Sequence, residues 1–390
     1  MVLWKRKLDM QKKLLDFLNR DNCDVDARLL PYDCDITIAY CKALHQAGII
    51  SLAELRKLEG CLMDLRTEAS RGTVMISPEE EDSHTKIEEY LVGQLGATGK
   101  KIHIGKSRND QALAAVRLFS KSKLSEIIQE TGNLAQHLYR LEAEHKNTPM
   151  PGYTHMRKAM VSTFGYWCAG VAEGLEDDQQ LLKAAFDQND SSPLGTAAGY
   201  GSPIRLNWEE IAYDLGFSRI ESNGIHAQNS RGKVGALTSF ALSQVMLDIN
   251  RLATDLMLWC TEEFGFIGLP EELTTGSSIM PHKKNPDVLE LLRAKAAKVL
   301  SCESHICQLS LNLPSGYNRD IQEMKKPLVE AFETTLASVA IAALVLENIA
   351  VNREKMKAAI TSDMLSAGRA SELALRGVPF RDAYLQLKQA

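Results

Sequence analysis

The chain has 390 residues, a formal net charge of -5 at pH 7, 45% hydrophobic residues and 24% charged residues. This composition is typical of a globular protein with a large core, and it excludes extensive disorder. The negative charge argues against a general attraction to nucleic acid or to anionic lipid, so a functional cluster of positive charge has to be local.

The sequence carries no export signal, membrane span or cofactor motif that we recognise. The segment Met1–Lys7 lacks the apolar run of a signal peptide, and the most apolar stretch, 336–351, is short and contains Glu347 and Asn348. We therefore expect a cytoplasmic protein. The eight cysteines lack Cys-x-x-Cys spacing, and P-loop, His-Glu-x-x-His and Gly-x-Gly-x-x-Gly motifs are missing. We expect no metal and no cofactor.

In chain order, residues 1–103 are predicted to form an N-terminal helical domain of mostly short helices joined by acidic turns such as 78–82. Five long stretches then follow at helical spacing. They are 110–147, 158–189, 228–264, 287–312 and 327–360. Strand-like alternation is scarce, so we predict an all-α protein with a central bundle of long helices over 104–345 and a small C-terminal helical domain over 346–390.

The apolar stripes of these helices are longer than one chain can readily cover. In the first stretch, Leu113, Val116 and Leu124 belong to a series of apolar residues at steps of three and four. Packing against copies of the same chain is the simplest way to bury such stripes. We expect a homo-oligomer, and a monomeric bundle that folds back on itself is the alternative.

Four polar clusters lie at the ends of the long predicted helices. They are 103–111, 151–155, 276–286 and 317–325. Together they supply cations, amides and hydroxyls, which are the groups needed to hold two carboxylates through charge-assisted hydrogen bonds. A helix that starts after Ser107 adds a favourable field for an anion. These clusters therefore predict a site for an acidic small molecule.

The third cluster, Gly-Ser-Ser-Ile-Met-Pro-His-Lys-Lys-Asn-Pro at 276–286, is the most informative segment. Pro281 and Pro286 each lack a backbone donor, and Gly276 favours bending, so the segment is predicted to be a loop and not a helix. Its hydroxyls, ammonium groups and amide indicate a loop that meets an anion.

These clusters resemble the signature blocks of the fumarase/aspartase superfamily, and most closely those of argininosuccinate lyase. The superfamily is indicated by Gly-Ser-Ser-x-Met-Pro-x-Lys-x-Asn, and the branch by Ser-Arg-Asn-Asp-Gln, Pro-Gly-Tyr-Thr-His and Tyr-Asn-x-Asp-x-Gln-Glu. The resemblance extends from about Asp26 to Phe380. It implies a homotetrameric helical core with active sites shared between subunits. It also implies elimination of a C–N bond in an N-substituted aspartate, with release of fumarate.

The resemblance further implies roles for individual residues. Ser277 would be the base that removes a proton from the carbon beta to the leaving nitrogen, on a loop that closes over the substrate. Lys283 would stabilise the ionised Ser277 and, with Asn285, the charge that gathers on the substrate carboxylate. His155 would help to protonate the departing nitrogen, oriented by Glu290 of another subunit.

The remaining matched positions would bind substrate. They are Asn22, Ser107, Arg108, Asn109, Thr154, Asn285, Tyr317, Gln322 and Lys325. Taken singly, a Ser in a Gly-Ser-Ser turn is usually a turn residue, and an acidic residue on a helix is usually a solvated charge. The assembled motifs favour the functional interpretation.

Several positions depart from the family pattern and bear on the identity of the leaving amine. They are Asn22 for Ser, Ile104 for Thr, Lys106 for Arg, Met156-Arg157 for Leu-Gln, His226 for Asp and His282 for Gln. We expect cleavage of argininosuccinate to arginine and fumarate. The close alternative is the same elimination on another N-substituted aspartate, and the second alternative is a crystallin-like structural protein on the same scaffold.

Overall fold

The structure, a computed structural model, describes residues 12–389 and is dominated by helices. In chain order these are α1 (Lys12–Gln46), α2 (Leu52–Ser70), α3 (Ser83–Leu95), α4 (Arg108–His145), α5 (Phe164–Asn189), α6 (Trp208–Asp214), α7 (Gly224–Trp259), α8 (Asp287–Leu309), α9 (Lys325–Asn348), α10 (Arg353–Ala358), α11 (Ser366–Leu375) and α12 (Phe380–Gln389). The predicted all-α class is confirmed.

Short strands interrupt the helices and form three antiparallel pairs within residues 12–389. They are β1 (Pro149–Thr154) with β2 (Arg157–Thr163), β3 (Ile267–Gly268) with β6 (Ala350–Val351), and β4 (Thr275–Gly276) with β5 (Lys284–Asn285). Strand β2 corrects the expectation of helix from residue 158. Residues such as Val161 and Thr163 suit a strand, and the helix begins only at Phe164.

Helix α1 has 35 residues and contains Pro31, so the expectation of mostly short helices in this part of the chain is wrong. Burial explains why the helix continues through a proline. Leu30, Cys34 and Leu44 are fully buried in one core with the leucines of α2 and with Ile87 and Leu91 of α3. Burying each such side chain stabilises the fold by about 1.5 to 3 kcal/mol, which offsets the lost backbone hydrogen bond.

The chain divides into two compact units, each made of three segments. The first unit contains residues 12–127, 181–243 and 298–334. The second contains 128–180, 244–297 and 335–389. The chain passes from one unit to the other within the long helices α4, α5, α7, α8 and α9. The division into three domains near residues 103 and 345 stays a prediction.

One stretch, Arg319–Asn348, is long and apolar enough to cross a membrane by length and composition alone. It covers α9 and the 3₁₀ helix before it, and 56% of its most apolar window is buried inside the protein. Phe332, Val339 and Ala342 are among its buried side chains, as expected for a core helix. The segment Met1–Lys7, considered above for a signal peptide, lies outside the described residues.

Candidate active site

The loop 277–283 is the tip of a hairpin in the second unit. Strand β4 pairs with β5, so that Thr275 lies opposite Asn285 and Gly276 lies opposite Lys284. Helix α8 follows directly at Asp287. The loop that the sequence predicted is therefore held at its two ends by paired backbone and by the start of a long helix.

The Ser277 hydroxyl is partly buried and accepts two hydrogen bonds. The backbone N–H groups of Ile279 and Met280 donate to its Oγ at 3.3 Å and 3.1 Å. Donors that point at an oxygen favour its ionised form. The same contacts occur in turns with a purely structural role, so the assignment of Ser277 as the base stays a prediction.

Lys283 and Glu290 are exposed. Within residues 12–389, neither side chain forms a hydrogen bond or an ion pair, and no contact joins Lys283 to Ser277. Glu290 lies in the first turn of α8, where a negative charge interacts favourably with the helix dipole. The Lys283 ammonium is therefore available for an anion that arrives from outside this chain.

His155 lies at the tip of the β1–β2 hairpin in a strained backbone conformation. Thr154 pairs with Arg157, which leaves His155 and Met156 as a two-residue turn. Their φ angles are 52° and 59°, in the left-handed region that such turns require and that Asn-Gly fills most easily. Strain of this kind costs on the order of 1 kcal/mol per residue and is common at functional sites. The side chains of Thr154 and His155 are exposed.

A cavity of about 550 Å³ lies beside this hairpin. His155 and Tyr153 line it from the hairpin, while Trp167, Asp248 and Asp255 line it from α5 and α7. The Trp167 indole N–H donates to Asp255 Oδ2 at 2.9 Å. In the described part of the chain His155 has no hydrogen bond to Glu290. The predicted pairing between two subunits therefore stays a prediction.

The residues predicted to hold the substrate lie mainly in the first unit, around a cavity of about 170 Å³. Five of them line it: Arg108, Asn109, Tyr317, Gln322 and Lys325. The fold thus brings together two segments that are far apart in sequence. Of the other predicted binding residues, Ser107 directly precedes Arg108, while Thr154 and Asn285 belong to the hairpins of the second unit.

A buried carboxylate fixes the start of α4. Asp110 Oδ1 accepts the Ser107 N–H at 3.2 Å, and Oδ2 accepts the N–H groups of Gly195 at 3.2 Å and Ala197 at 2.8 Å. Burial raises the pKa of Asp110, and these three backbone donors oppose the rise. The Ser107 Oγ in turn accepts the Asn109 N–H at 3.2 Å. The backbone around Ser107 is therefore held before any ligand binds.

Two cations of the cavity are bound to carboxylates of the protein. The Lys325 ammonium donates to both oxygens of Asp26 at 2.6 Å and 2.8 Å. Burial raises the pKa of Asp26 to about 6, although Lys325 opposes the rise. Arg108 lies 3.0 Å from a carboxylate oxygen of Glu81 and 3.0 Å from one of Asp82. The direct role of Lys325 and Arg108 in substrate binding stays a prediction.

Asn22 is buried beside this region but does not line the cavity. Its amide N–H donates to Glu323 Oε1 at 3.4 Å, and its Oδ1 has no hydrogen-bond partner among residues 12–389. The Gln322 amide donates to the main-chain oxygen of Leu18 at 3.1 Å. Helix α1 therefore forms hydrogen bonds with the segment 317–325.

Several residues that line the same cavity are not evident as site residues from the sequence. Asp26 lies within α1 and Arg231 within α7, and a charged residue inside a long helix usually reads as a solvated surface residue. Asp82 is the N-cap of α3 and accepts the Thr85 N–H, a signal that sequence can carry. Within the described residues, no group of three or more His, Cys, Asp or Glu side chains could hold a metal ion.

A protein-family model described as Lyase matches residues 16–301 of the chain. The argininosuccinate lyase of Thermotoga neapolitana is 42% identical over 98% of this chain and 96% of its own length. This chain belongs to the argininosuccinate lyase family. The argininosuccinate lyase of Sorangium cellulosum is 41% identical over 98% of this chain and 89% of that protein.

Two solved structures share the fold of this argininosuccinate lyase family member. EDDS lyase in complex with formate has a TM-score of 0.82 and 24% identity, over 93% of this chain and 72% of that one. A fumarate lyase:delta crystallin from Brucella melitensis, bound to cobalt, has a TM-score of 0.79 and 17% identity, over 94% of this chain and 85% of that one. The predicted fumarase/aspartase-like helical fold is confirmed.

Lys106 replaces an Arg of the argininosuccinate lyase pattern in a buried environment. Its ammonium has no hydrogen-bond partner in the described part of the chain and lies 5.1 Å from the centre of the Tyr40 ring. Burial lowers the pKa of Lys106, and the charges of Asp33 and Asp110 oppose the change. The substitution keeps the charge and loses the planar fork. Lys106 does not line the 170 Å³ cavity, so the substitution leaves the lining of that cavity unchanged.

Asn22, a further departure from the argininosuccinate lyase pattern, is buried, and four others are on the surface. Ile104, Arg157, His226 and His282 are exposed. His226 Nε2 lies 3.6 Å from Glu221 Oε2. These side chains do not line the 170 Å³ cavity either. The cavity thus keeps the residues that match the family, although several other positions differ.

Proposed function

We propose that this protein cleaves argininosuccinate by elimination, giving arginine and fumarate. One observation carries the proposal: the chain is 42% identical to an argininosuccinate lyase over 98% of its length. The enzyme is a C–N lyase that releases fumarate. The hairpins and the cation-rich cavity described above support this chemistry because they supply a base, proton donors and groups that bind carboxylates.

In the proposed reaction, Ser277 takes a proton from the succinyl carbon next to the carbon that bears nitrogen. The negative charge spreads into the adjacent carboxylate, where Lys283 and Asn285 stabilise it. The C–N bond then breaks, its electron pair leaves with the nitrogen, and the C=C bond of fumarate forms. His155 gives a proton to the departing nitrogen of arginine, so the atoms and charges balance.

Activation of Ser277 is the demanding part of this scheme, because an ordinary serine hydroxyl is a very weak base. The backbone N–H groups of Ile279 and Met280 that reach Oγ support an ionised oxygen. The Lys283 ammonium, which has no ion-pair partner among residues 12–389, adds positive charge once the loop closes and water is excluded. Glu290 of another subunit orients His155.

We also propose a homotetramer in the cytoplasm with active sites shared between subunits, a small-molecule substrate, and neither nucleic acid nor a membrane as partner. Large apolar side chains remain exposed along the long helices, and covering them stabilises an assembly by about 25 cal/mol per Å². They include Phe240 and Leu247 of α7, Leu291 and Leu300 of α8, and Ile341 and Leu344 of α9.

A direct test is to incubate the protein with argininosuccinate and a panel of other N-substituted aspartates while following the absorbance of fumarate. Release of fumarate from argininosuccinate supports the proposal. If argininosuccinate stays intact and another member of the panel is cleaved, the substrate assignment fails and the elimination chemistry survives. If fumarate appears from none of them, a crystallin-like structural role replaces the enzymatic one.

The shared site has its own test. Chains that carry Ser277→Ala are mixed with chains that carry His155→Asn under conditions that exchange subunits. If one site takes its base and its histidine from different chains, some sites in the mixture combine the intact residue of each, and activity reappears. Light scattering gives the number of subunits. Failure to regain activity in verified mixed oligomers contradicts the shared site.

A further inference from the structure

The 170 Å³ cavity contains one more positive than negative side chain. Four cations line it, Arg108, Arg231, Arg319 and Lys325, against the three acids Asp26, Glu81 and Asp82. A cavity with this excess of positive charge attracts an anion. The cation that has no acidic partner within the cavity is the residue that we expect to bind that anion.

The three acids are matched by three of the cations. Lys325 binds Asp26 through both carboxylate oxygens. Arg108 pairs with Asp82 at 3.0 Å. The third acid, Glu81, lies between Arg108 at 3.0 Å and Arg319 at 3.6 Å. The charges of these residues are therefore largely satisfied within the protein.

Arg231 is different, because no carboxylate lies within ion-pair distance of its guanidinium among residues 12–389. Its Nη1 donates to the main-chain oxygen of Asn109 at 3.2 Å and to Gln228 Oε1 at 3.3 Å. The guanidinium lies 5.2 Å from the centre of the Tyr317 ring. Burial lowers the pKa of Arg231 to about 10, so it is still charged at neutral pH.

A partly buried guanidinium that lacks an ion-pair partner in residues 12–389 lowers the stability of the fold. Desolvation of an ion costs several kcal/mol, and here no opposite charge compensates for it. Its neighbours hold it in place without neutralising it. The planar fork of a guanidinium fits a carboxylate with two parallel hydrogen bonds. Such an arrangement is stabilised when a carboxylate enters the cavity.

We infer that Arg231 binds a carboxylate of the substrate and is a specificity-determining residue of this enzyme. The inference rests on the proposed function for the identity of the substrate. Pockets that enclose a whole small ligand usually measure about 300 to 1,000 Å³. At about 170 Å³, this cavity accommodates one end of the substrate. Tyr317 and Asn109, which Arg231 contacts, line the same space.

The carboxylate can come from the succinyl half or from the amino-acid half of argininosuccinate, and product inhibition distinguishes the two. Agmatine is arginine without its carboxylate, and fumarate represents the succinyl half. The affinities of arginine, agmatine and fumarate are measured by calorimetry for the wild type and for Arg231→Gln and Arg231→Lys. Calorimetry needs no turnover, so failure of the proposed function is recognised separately by the fumarate assay.

In Arg231→Gln we expect the KM for argininosuccinate to rise about 10- to 100-fold, because a charge-assisted hydrogen bond is lost, with a smaller change in kcat. Arg231→Lys keeps the charge and should recover part of the loss. If the amino-acid half supplies the carboxylate, arginine loses affinity while agmatine and fumarate keep theirs. If the succinyl half supplies it, fumarate loses affinity while the ratio of arginine to agmatine is unchanged.

The control is Arg66→Gln, which removes the same charge from the same unit at an exposed Arg66–Asp35 ion pair outside the cavity. It should leave KM and all three affinities unchanged. The inference is overturned if Arg231→Gln keeps the wild-type KM and affinities. It is equally overturned if all three ligands weaken together and Arg231→Lys restores none of them, because that pattern indicates a purely structural role.

Discussion

The 170 Å³ cavity of the first unit and the two hairpins of the second unit differ in how their polar groups are held. Asp110, which follows the cavity residue Asn109 in the chain, is 1% exposed and accepts three backbone N–H groups, and in the cavity Lys325 binds Asp26. On the hairpins, no hydrogen bond or ion pair within the described residues involves the side chain of His155 or Lys283. Ile279 at the tip of the second hairpin is 86% exposed. The groups that line the cavity are held in place before any ligand binds, whereas the side chains of His155 and Lys283 are not.

This contrast suggests a division of labour. In the proposed reaction, a rigid cavity binds the substrate at little entropic cost, because its side chains are ordered before binding. In the proposed site shared between subunits, exposed hairpin tips close over the bound molecule and exclude water at the moment of reaction. We therefore expect substitutions on the hairpins to change catalysis, and substitutions around the cavity to change stability and substrate binding.

The largest effect is expected for Ser277→Ala. Loss of the base should lower kcat by at least roughly 10⁴-fold, while the free energy of unfolding changes by less than about 1 kcal/mol, because Ser277 lies on an exposed hairpin. Initial rates of fumarate release and urea unfolding at one fixed protein concentration measure the two quantities. An active Ser277→Ala enzyme removes the proposed base, and a strongly destabilised one contradicts the contrast between hairpin and cavity.

The second prediction, Asp110→Asn, concerns the backbone next to the 170 Å³ cavity of the first unit. The amide offers one acceptor oxygen where the carboxylate serves Ser107, Gly195 and Ala197, so at least one buried N–H loses its partner. We expect a loss of stability of about 2 to 3 kcal/mol and a raised KM, because the backbone that carries Asn109 loosens. Urea unfolding and the dependence of rate on substrate concentration test this. Unchanged stability together with a large fall in kcat would reverse the proposed division of labour.

A pH-dependent effect is expected for Asp178→Asn in α5. Burial raises the pKa of Asp178 to about 7, and the charges of Asp248 and Asp177 add to the rise. Since the unfolded value is about 3.9, the protonated acid favours the folded state. This contribution is complete below pH 4 and is lost as the pH rises towards 7.

The Asp178→Asn variant should therefore become more stable than the wild type as the pH increases. The full shift corresponds to about 4 kcal/mol, and solvent screening and relaxation reduce it to about 1 to 2 kcal/mol at pH 8. Thermal unfolding at pH 4.5 and pH 8 measures the difference. Asp64→Asn, on the exposed face of α2, is the control and should show no pH-dependent gain. A variant whose relative stability does not change with pH contradicts the shifted pKa.

The long helices could be predicted from sequence because their apolar residues recur at helical spacing over many turns. Helix α4 spans Arg108–His145 against a predicted 110–147, and α8 begins at Asp287 as predicted. Helix α1 was underestimated, because Pro31 and many acidic residues obscure the pattern that tertiary packing restores. The strand β2 was missed because seven residues next to a long helix give too short a signal.

The candidate site was predictable only where a run of polar residues marks the end of a long helix. The segments 107–111 and 317–325 were found because cations, amides and hydroxyls follow one another without an apolar stripe. Arg231 was missed, since its neighbours Asn109 and Tyr317 are brought to it by the fold and not by sequence proximity. Arg231 is informative because the part of the chain that the structure describes places no carboxylate within ion-pair distance of it, and this is visible only in three dimensions.

The smallest predicted effect concerns the strained turn. Met156 has a φ of 59°, and Gly reaches this region without the clash of a side chain, although it loses more entropy on folding. Met156→Gly should therefore stabilise the protein by at most about 1 kcal/mol. Ala at the same position is the control, because it keeps the clash and should not stabilise. If Gly destabilises as much as Ala does, the turn is held by contacts of the Met156 side chain. The hairpin tip would then be held in place before a ligand binds, as the polar groups of the cavity are.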